Sequence, residues 1–410
     1  MFSSTFRQFS ALRPPVRALV FLFWIYDFTG GMVGVFTQIF LYQRFTSLEL
    51  NIIATIVFYT GIMVGFVIPG IFATYLQLNI KRGFAWSFLF LGLSLLYLLS
   101  ITDTWHAHVA MFFWGFGQGV FWLTVNTFEL SETKNEERDF YASALNAGTQ
   151  VLGLAGPAAA TALLWISSSV LHLGTYTLLF TVAPAIYLLG FFCFSSIADY
   201  RPPRIRWEDI RYYFTDRKNQ AAQLYTFGTG IQQTLGVIIM PLVTLAILGT
   251  ALRVGVYNTL FAVLSALCVL AVAQYRTPKN RLFIYGITVF GVAAAVVWLG
   301  YAFTFLALAI YTVVDATFSP VMGVTAHVVD LSAMEVGRSD TDFYATMILR
   351  DFFLWVWRSI GGLVLLVLVA LAGGLESRSL SFGLYALAVA FGVTYFGAYL
   401  FTRLHHSVVL

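Results

Sequence analysis

Charge is scarce in this sequence. Only 10% of its 410 residues are Asp, Glu, Lys or Arg, against 59% hydrophobic, and mean hydropathy is +0.82. A water-soluble domain carries about a quarter charged residues, so there is too little charge to cover an aqueous surface, and the solvent is lipid. The net charge of +4 therefore gives no footing for nucleic acid; the placement of the charges matters more than their sum. Cysteine is nearly absent too: Cys193 and Cys268 each lie inside an apolar run, which excludes a disulfide framework. The chain also lacks a glycine-rich phosphate loop ending in Lys-Ser/Thr and any closely spaced Cys/His set, with His106 and His108 in an outer loop. These gaps argue against an ATP-driven pump, an enzyme, and a resident metal or cofactor. The basic start (Arg7, Arg13, Arg17) meets an apolar run too long for a signal peptide and without a small-residue cleavage site, which reads as a retained first span.

Long apolar runs are what the sequence has instead. A helix crossing roughly 30 Å of hydrocarbon needs about 20 apolar residues. Runs of that kind sit near 18–43, 50–77, 84–102, 107–129, 142–168 and 172–197, then near 220–249, 253–274, 281–301, 303–328, 344–372 and 379–402. Their continuity excludes a β-barrel, whose strands alternate. The expectation is an all-α membrane protein of twelve transmembrane helices. Lys and Arg crowd one side, from Arg7 through Lys81, Arg82, Arg204 and Arg281 to Arg403, whereas the opposite loops hold only Arg44, Arg253 and Arg378. By the positive-inside rule both termini are cytoplasmic.

One charged phrase is written twice. Glu129-Leu130-Ser131 matches Asp330-Leu331-Ser332, and Asp139-Phe140-Tyr141-Ala142 matches Asp342-Phe343-Tyr344-Ala345, at offsets of 201 and 203. Thr29-Gly30 likewise matches Thr229-Gly230. Each copy joins the fourth span of its half to the fifth, so the chain is a repeat of two pseudo-symmetric six-helix bundles, 1–200 and 219–410. Between them lies RPPRIRWEDIRYYFTDRK, residues 201–218, where Trp207, Ile210 and Phe214 recur at helical spacing among arginines. It reads as a cytoplasmic linker with an amphipathic helix in the plane of anionic headgroups. Parallel halves of this kind belong to rocker-type transporters that bind substrate midway between them.

With these features the chain resembles the major facilitator superfamily over its whole length. Some of that family's motifs are altered. After span two, Thr74 follows Gly70 where an acid is usual, and the basic cluster Lys81-Arg82-Gly83 comes late. Span four keeps Gly115, Gly117 and Gly119 but lacks the buried Arg, and Gly148, Gly153 and Gly156-Pro157 in span five look like part of an antiporter motif. The resemblance implies that Glu129, and Asp330 as its counterpart, latch the cytoplasmic gate against Lys81/Arg82 and Arg276/Lys279/Arg281. The alternative is that these charges only solvate a loop.

Ionisable residues inside spans are functional hypotheses by default. Asp27 lies ten residues past Arg17, roughly 15 Å deep, and shares a helix face with Trp24, Gly31, Gly34 and Gln38. Small residues beside an acid suggest a cavity wall, and burial disfavours the charged form of an acid, which suits proton coupling; a structural Asp is the other reading. Asp315 and Arg358 fall at matching depths on neighbouring helices and form a candidate charged pair, either a static strut or a pair that opens for protons or an anionic substrate. Arg350-Asp351 is a candidate second strut, or a partner for His327. By the family's pattern spans one, four, seven and ten line the pathway, which puts Trp114, Gln118, Trp122 and Asn126 of span four along it, with Gln232 and Gln233 of span seven. The glutamine pair looks like the sugar-porter branch, or is helix–helix glue.

The expected protein is a monomeric, proton-coupled secondary active transporter of a bacterial inner membrane, with a small molecule and protons as its cargo and the lipid bilayer as its surroundings. Export is favoured over import by the partial Gly-Pro motif. The alternatives are an importer of a small polar solute such as a sugar, a lipid translocator, or a non-transporting membrane partner on the same fold.

Overall fold

The structure, a computed structural model, describes residues 12–132, 135–272, 281–335, 343–373 and 376–404. Every regular element among them is helical. Hydrocarbon dictates this, because a helix satisfies each N–H and C=O within its own segment. The first six long helices are α1 (Pro14–Phe45), α2 (Leu48–Leu76), α3 (Gly83–Leu98), α4 (Thr104–Glu132), α5 (Asn135–Trp165) and α6 (Leu179–Cys193). A short helix, α7 (Trp207–Thr215), lies between them and the second six. Those are α8 (Arg217–Leu248), α9 (Ala251–Val272), α10 (Arg281–Ala302), α11 (Phe305–Glu335), α12 (Phe343–Leu371) and α13 (Glu376–Leu404). All twelve expected spans are present as helices, and among the described residues seven helices are long and apolar enough to cross a membrane. The protein is an integral, all-α membrane protein.

Two spans are shorter than their apolar runs. The run near 84–102 is α-helical only to Leu98, and that near 172–197 only from Leu179. Their 16 and 15 residues reach about 24 Å at 1.5 Å per residue, less than the roughly 30 Å of hydrocarbon. Apolar composition alone does not keep 171–178 helical. The chain unwinds through a π-turn at Ile166–Val170, His172 takes φ 53°, and the Ser167 hydroxyl donates to the Gly174 carbonyl at 2.6 Å. By contrast α1 and α8, with 32 residues each, run to about 48 Å and project beyond the hydrocarbon.

Three turns between spans close alike. Thr46 (φ 49°), Gly249 (φ 83°) and Phe303 (φ 44°) adopt the left-handed conformation and donate their N–H groups to Tyr42, Leu245 and Leu299 at 2.7, 2.7 and 2.9 Å. A left-handed cap satisfies an orphan carbonyl and reverses the chain at once.

Packing divides the chain into two units, Met1–Phe40 with Val57–Arg204, and Leu41–Ile56 with Ile205–Leu410. The division expected from sequence placed 41–56 in the first half; their packing places them in the second unit. In the first unit, α2 and α4 meet backbone to backbone. A Cβ on Gly61 or Gly65 would lie 2.2 Å from the Phe112 or Phe116 carbonyl oxygen. On the facing helix a Cβ on Gly115 or Gly119 would lie 1.9 or 2.1 Å from the Phe58 or Ile62 oxygen. Paired small-xxx-small motifs permit this approach in lipid, where dispersion between close backbones replaces the hydrophobic drive. Gly117, between them, faces Leu91 and Ser87 of α3 instead. The second unit is built round α8, whose Leu235, Ile238, Ile239, Leu242 and Val243 are buried together with Leu365 and Val369 of α12 and Leu384 and Leu387 of α13. Leu48 and Ile52 join that core.

Candidate functional site

Each unit carries a charged group on the seam between its first and fifth long helices. In the first unit the seam is α1 against α5. A Cβ on Gly148 would overlap the Trp24 indole at 2.0 Å, so that glycine makes room for the ring, and Trp24 Nε1 donates to the Leu145 carbonyl at 3.4 Å. One helical turn on, Asp27 is half-buried and accepts a hydrogen bond from the Thr149 side chain. Gly156 continues the seam, its Cβ position 3.0 Å from the Phe28 carbonyl oxygen, and Gly31 stands near Pro157. Gly30 and Gly34 differ, since a Cβ there would meet nothing within 4 Å.

The second unit has the corresponding seam, α8 against α12, with a base in place of the acid. Gly230 faces Trp357, its Cβ position 2.7 Å from that residue's Cβ, and Gly361 faces Ile231. Arg358 Nε donates to Gln233 Oε1 at 2.9 Å, and Thr234 Oγ1 donates to the Arg358 carbonyl at 2.9 Å. Gln232 points elsewhere and accepts from Thr394 Oγ1 of α13 at 3.1 Å. Neighbouring residues on a helix diverge by about 100°. The Gln232–Gln233 pair is therefore split between two helix contacts.

The predicted Asp315–Arg358 pair gives way to two separate sets of partners. Asp315 of α11 is bonded by Ser319 and Tyr311 of its own helix and lies near Tyr257 of α9. Arg358 instead faces α8 and acts on the buried Asp351 carboxylate two turns earlier in α12. The rise per residue places the two at equal depth, but depth leaves the direction in which each side chain leaves its helix undetermined.

The other predicted pathway residues are placed as follows. Gln38 is buried on α1, while Gln118 and Asn126 are half-buried on α4. Trp122 Nε1 donates to the Tyr26 hydroxyl at 3.1 Å, and Tyr26 stacks on Phe121 with ring centroids 3.9 Å apart. Trp114 is buried against Phe58. Tyr26 was not foreseen, though it sits beside Asp27 in the sequence.

No family sequence profile and no curated relative matches the chain. Solved structures do. The human organic anion transporter MFSD10 (TETRAN) matches at TM-score 0.64 and 12% identity, over 95% of this chain and 99% of that one. A bacterial homolog of the human lysosomal transporter Spinster matches at 0.65 and 11%, over 95% and 97%. A mutant of the nucleoside transporter NupG matches at 0.62 and 12%, over 95% and 99%. The fold is the major facilitator fold. At such identities the likeness is one of architecture, and it extends over nearly the full length of each chain.

At the ends of α2 and α11, where the sequence placed the latch, the expected partners are rearranged. Lys81 is taken by the segment after α6: its Nζ donates to the Ser195 carbonyl at 3.0 Å and stands 3.5 Å from Asp199. Asn79 Oδ1 accepts from the backbone N–H groups of Lys81 and Tyr200 at 3.1 and 3.3 Å, and Ile80 N–H donates to the Tyr200 carbonyl at 3.1 Å. The Asn79 side chain, with Lys81 behind it, holds the Asp199 carboxyl below the usual carboxylate range. Glu129, 4% exposed, lies beside the wholly buried Tyr141 of the same repeat phrase, and Arg82 is exposed. Asp330 pairs with Arg350 of α12, so Arg350 supplies the charge that had been sought from the loop after span eight. Arg276 and the Arg281 side chain lie outside the described residues, as does the His327 side chain. Tyr225 and Tyr213 flank Arg350, and Tyr225 and Tyr285 flank Asp330.

Proposed function

We propose that the protein is a proton-coupled secondary active transporter. It moves a small molecule by alternating access in a bacterial inner membrane, as a monomer with both termini cytoplasmic and without a cofactor. The observation that carries this reading is Asp27. An acid held in a membrane helix is costly to keep there, and this one sits half-buried on the α1–α5 seam with the open positions of Gly30 and Gly34 further along its helix. The Thr149 side chain donates to it, and an acid bordered by open positions suits taking up and releasing a proton. Arg358, placed likewise in the second unit, suits a cargo with a negative group, and one structural neighbour is an organic anion transporter. Export is the favoured direction on the partial Gly-Pro motif at Gly156-Pro157. Import of a sugar-like solute has less support, since Gln232 and Gln233 are engaged by Thr394 and Arg358.

The test has two steps. A thermal-shift screen of organic anions, nucleosides, sugars and amino acids against the purified protein identifies a ligand. Flux of that ligand into proteoliposomes under an imposed proton gradient is then compared for wild type and Asp27→Asn. The substitution is expected to abolish gradient-driven accumulation while leaving passive exchange. Undiminished accumulation would sink the coupling role of Asp27.

A further inference from the structure

The strongest feature outside the two seams is α7. Its buried side is polar and aromatic: Asp209 and Tyr213, one turn apart, are 7% and 3% exposed. Asp209 Oδ2 accepts from the Arg206 backbone N–H at 2.9 Å and closes the first turn, and the Tyr213 ring stacks on Phe353 of α12 at 6.0 Å. Phe214 meets the same Phe353 edge-on at 5.7 Å. This packing holds α7 on the flank of α12.

The face that sequence periodicity marks as apolar is covered only in part, with Ile210 half-buried and Phe214 touching Phe353. Trp207 is 76% exposed and Phe214 is 47% exposed, with exposed Arg211 between them at the i+4 position. Around that face the charge is one-sided. Residues 201–218 hold six Lys or Arg and three Asp or Glu. All six cations are exposed, with Arg206 tied to Asp209, whereas of the acids only Glu208 is exposed. The level of the helix also matters. Phe353 lies ten residues into the 29-residue α12, roughly 15 Å from its start. A helix about 43 Å long exceeds the roughly 30 Å of hydrocarbon by about 13 Å. Even with all of that excess at the Phe343 end, Phe353, and Phe214 beside it, reach the edge of the hydrocarbon.

We infer that α7 is a docking surface for anionic phospholipid of the cytoplasmic leaflet. Trp207 and Phe214 enter the interface, where amphipathic aromatic rings are most stable. Arg204, Arg211, Arg217 and Lys218 meet lipid phosphates, each adding attraction that falls off within a Debye length. A soluble protein partner would leave Phe214, which stands at the level of the hydrocarbon, none to enter. The inference does not depend on Asp27 or on transport.

The test uses the full chain in vesicles. A nitroxide is attached at Trp207→Cys in a Cys193→Ser, Cys268→Ser background, and its collision rates with oxygen and with a water-soluble nickel chelate are compared. In phosphatidylcholine vesicles containing phosphatidylglycerol the oxygen-to-nickel ratio is expected to be high. It should fall in phosphatidylcholine alone and in high salt, and the docked-to-undocked equilibrium that it reports should shift about fivefold for each cation removed, as in Arg211→Gln and Arg217→Gln. A second label at Phe214→Cys keeps the experiment decisive if the first disturbs the helix. A label exposed to nickel in both lipids overturns the inference. So does a ratio indifferent to phosphatidylglycerol, which leaves an uncharged membrane seat. Shielding from both reagents also overturns it and assigns the face to a second copy or another protein.

Discussion

Arg358 shows how a single charge is kept inside a membrane helix. Its Nε is given to Gln233, its backbone carbonyl takes the Thr234 hydroxyl, and it acts on the Asp351 carboxylate two turns away. A hydrogen bond to a charged group is worth about 2 kcal/mol, and removing one partner leaves the other to bear its desolvation. Gln233→Leu is therefore expected to lower stability by about 2 kcal/mol, read as an earlier thermal unfolding midpoint in detergent, whereas Gln233→Glu should hold or raise it. Equal midpoints for wild type and Gln233→Leu would show that Arg358 does not depend on this amide. Asp27 is the corresponding residue of the first unit, with Thr149 in the place of Gln233. The repeat phrase does not predict this match, because the acid and the base fall on different helices of their bundles, α1 and α12.

Among elements, the contact of α2 with α4 has the least tolerance. Carbonyl oxygens of one helix stand where the Cβ atoms of the other would be, at 1.9 to 2.2 Å across four glycines. Gly119→Val should destabilise by at least about 3 kcal/mol, because rigid backbones would have to part; a full yield of monodisperse protein would contradict the packing. The turn after α2 is governed by electrostatics instead. Asp199 is bonded by Asn79 and faces Lys81, so its carboxyl titrates below the ordinary value of 3.8. A depressed folded-state value means that its contribution is present above the ordinary value and is lost as pH falls through the lowered one. Protection of the Ile80 and Tyr200 amides, relative to intrinsic hydrogen exchange at each pH, should thus hold at neutral and mildly acidic pH and drop only below about pH 4. A drop near pH 6 would place its control in another group.

Across the whole molecule, the division into units does not follow the chain midpoint. Residues Leu41–Ile56 come from the first half of the sequence yet pack in the second unit, with Leu48 and Ile52 buried in its core and Ile56 against Gly362. The segment 205–410 expressed by itself lacks those side chains. It should be less stable than the same segment co-expressed with 1–204 by roughly the 1.5–3 kcal/mol that each buried Leu or Ile contributes, read as an earlier melting midpoint. Identical melting would show that 41–56 are dispensable to the second unit.

Composition and period alone determined the solvent, the helical class, the number of spans and the two-fold repeat, because each follows from local facts: apolar length, a rise of 1.5 Å per residue, and a phrase recurring at an offset near 200. They also marked Asp27, Asp315 and Arg358 as the costly residues, since a charge in an apolar run is visible without coordinates. Partnership was not legible. Asp315 turned to Ser319 and Tyr311, Lys81 to Asp199, Asp330 to Arg350, and Gln232 and Gln233 to different helices. Depth along a helix is a property of the sequence. The azimuth at which a side chain meets a neighbour is set by helix packing, and here that packing is decided by where glycines let backbones approach.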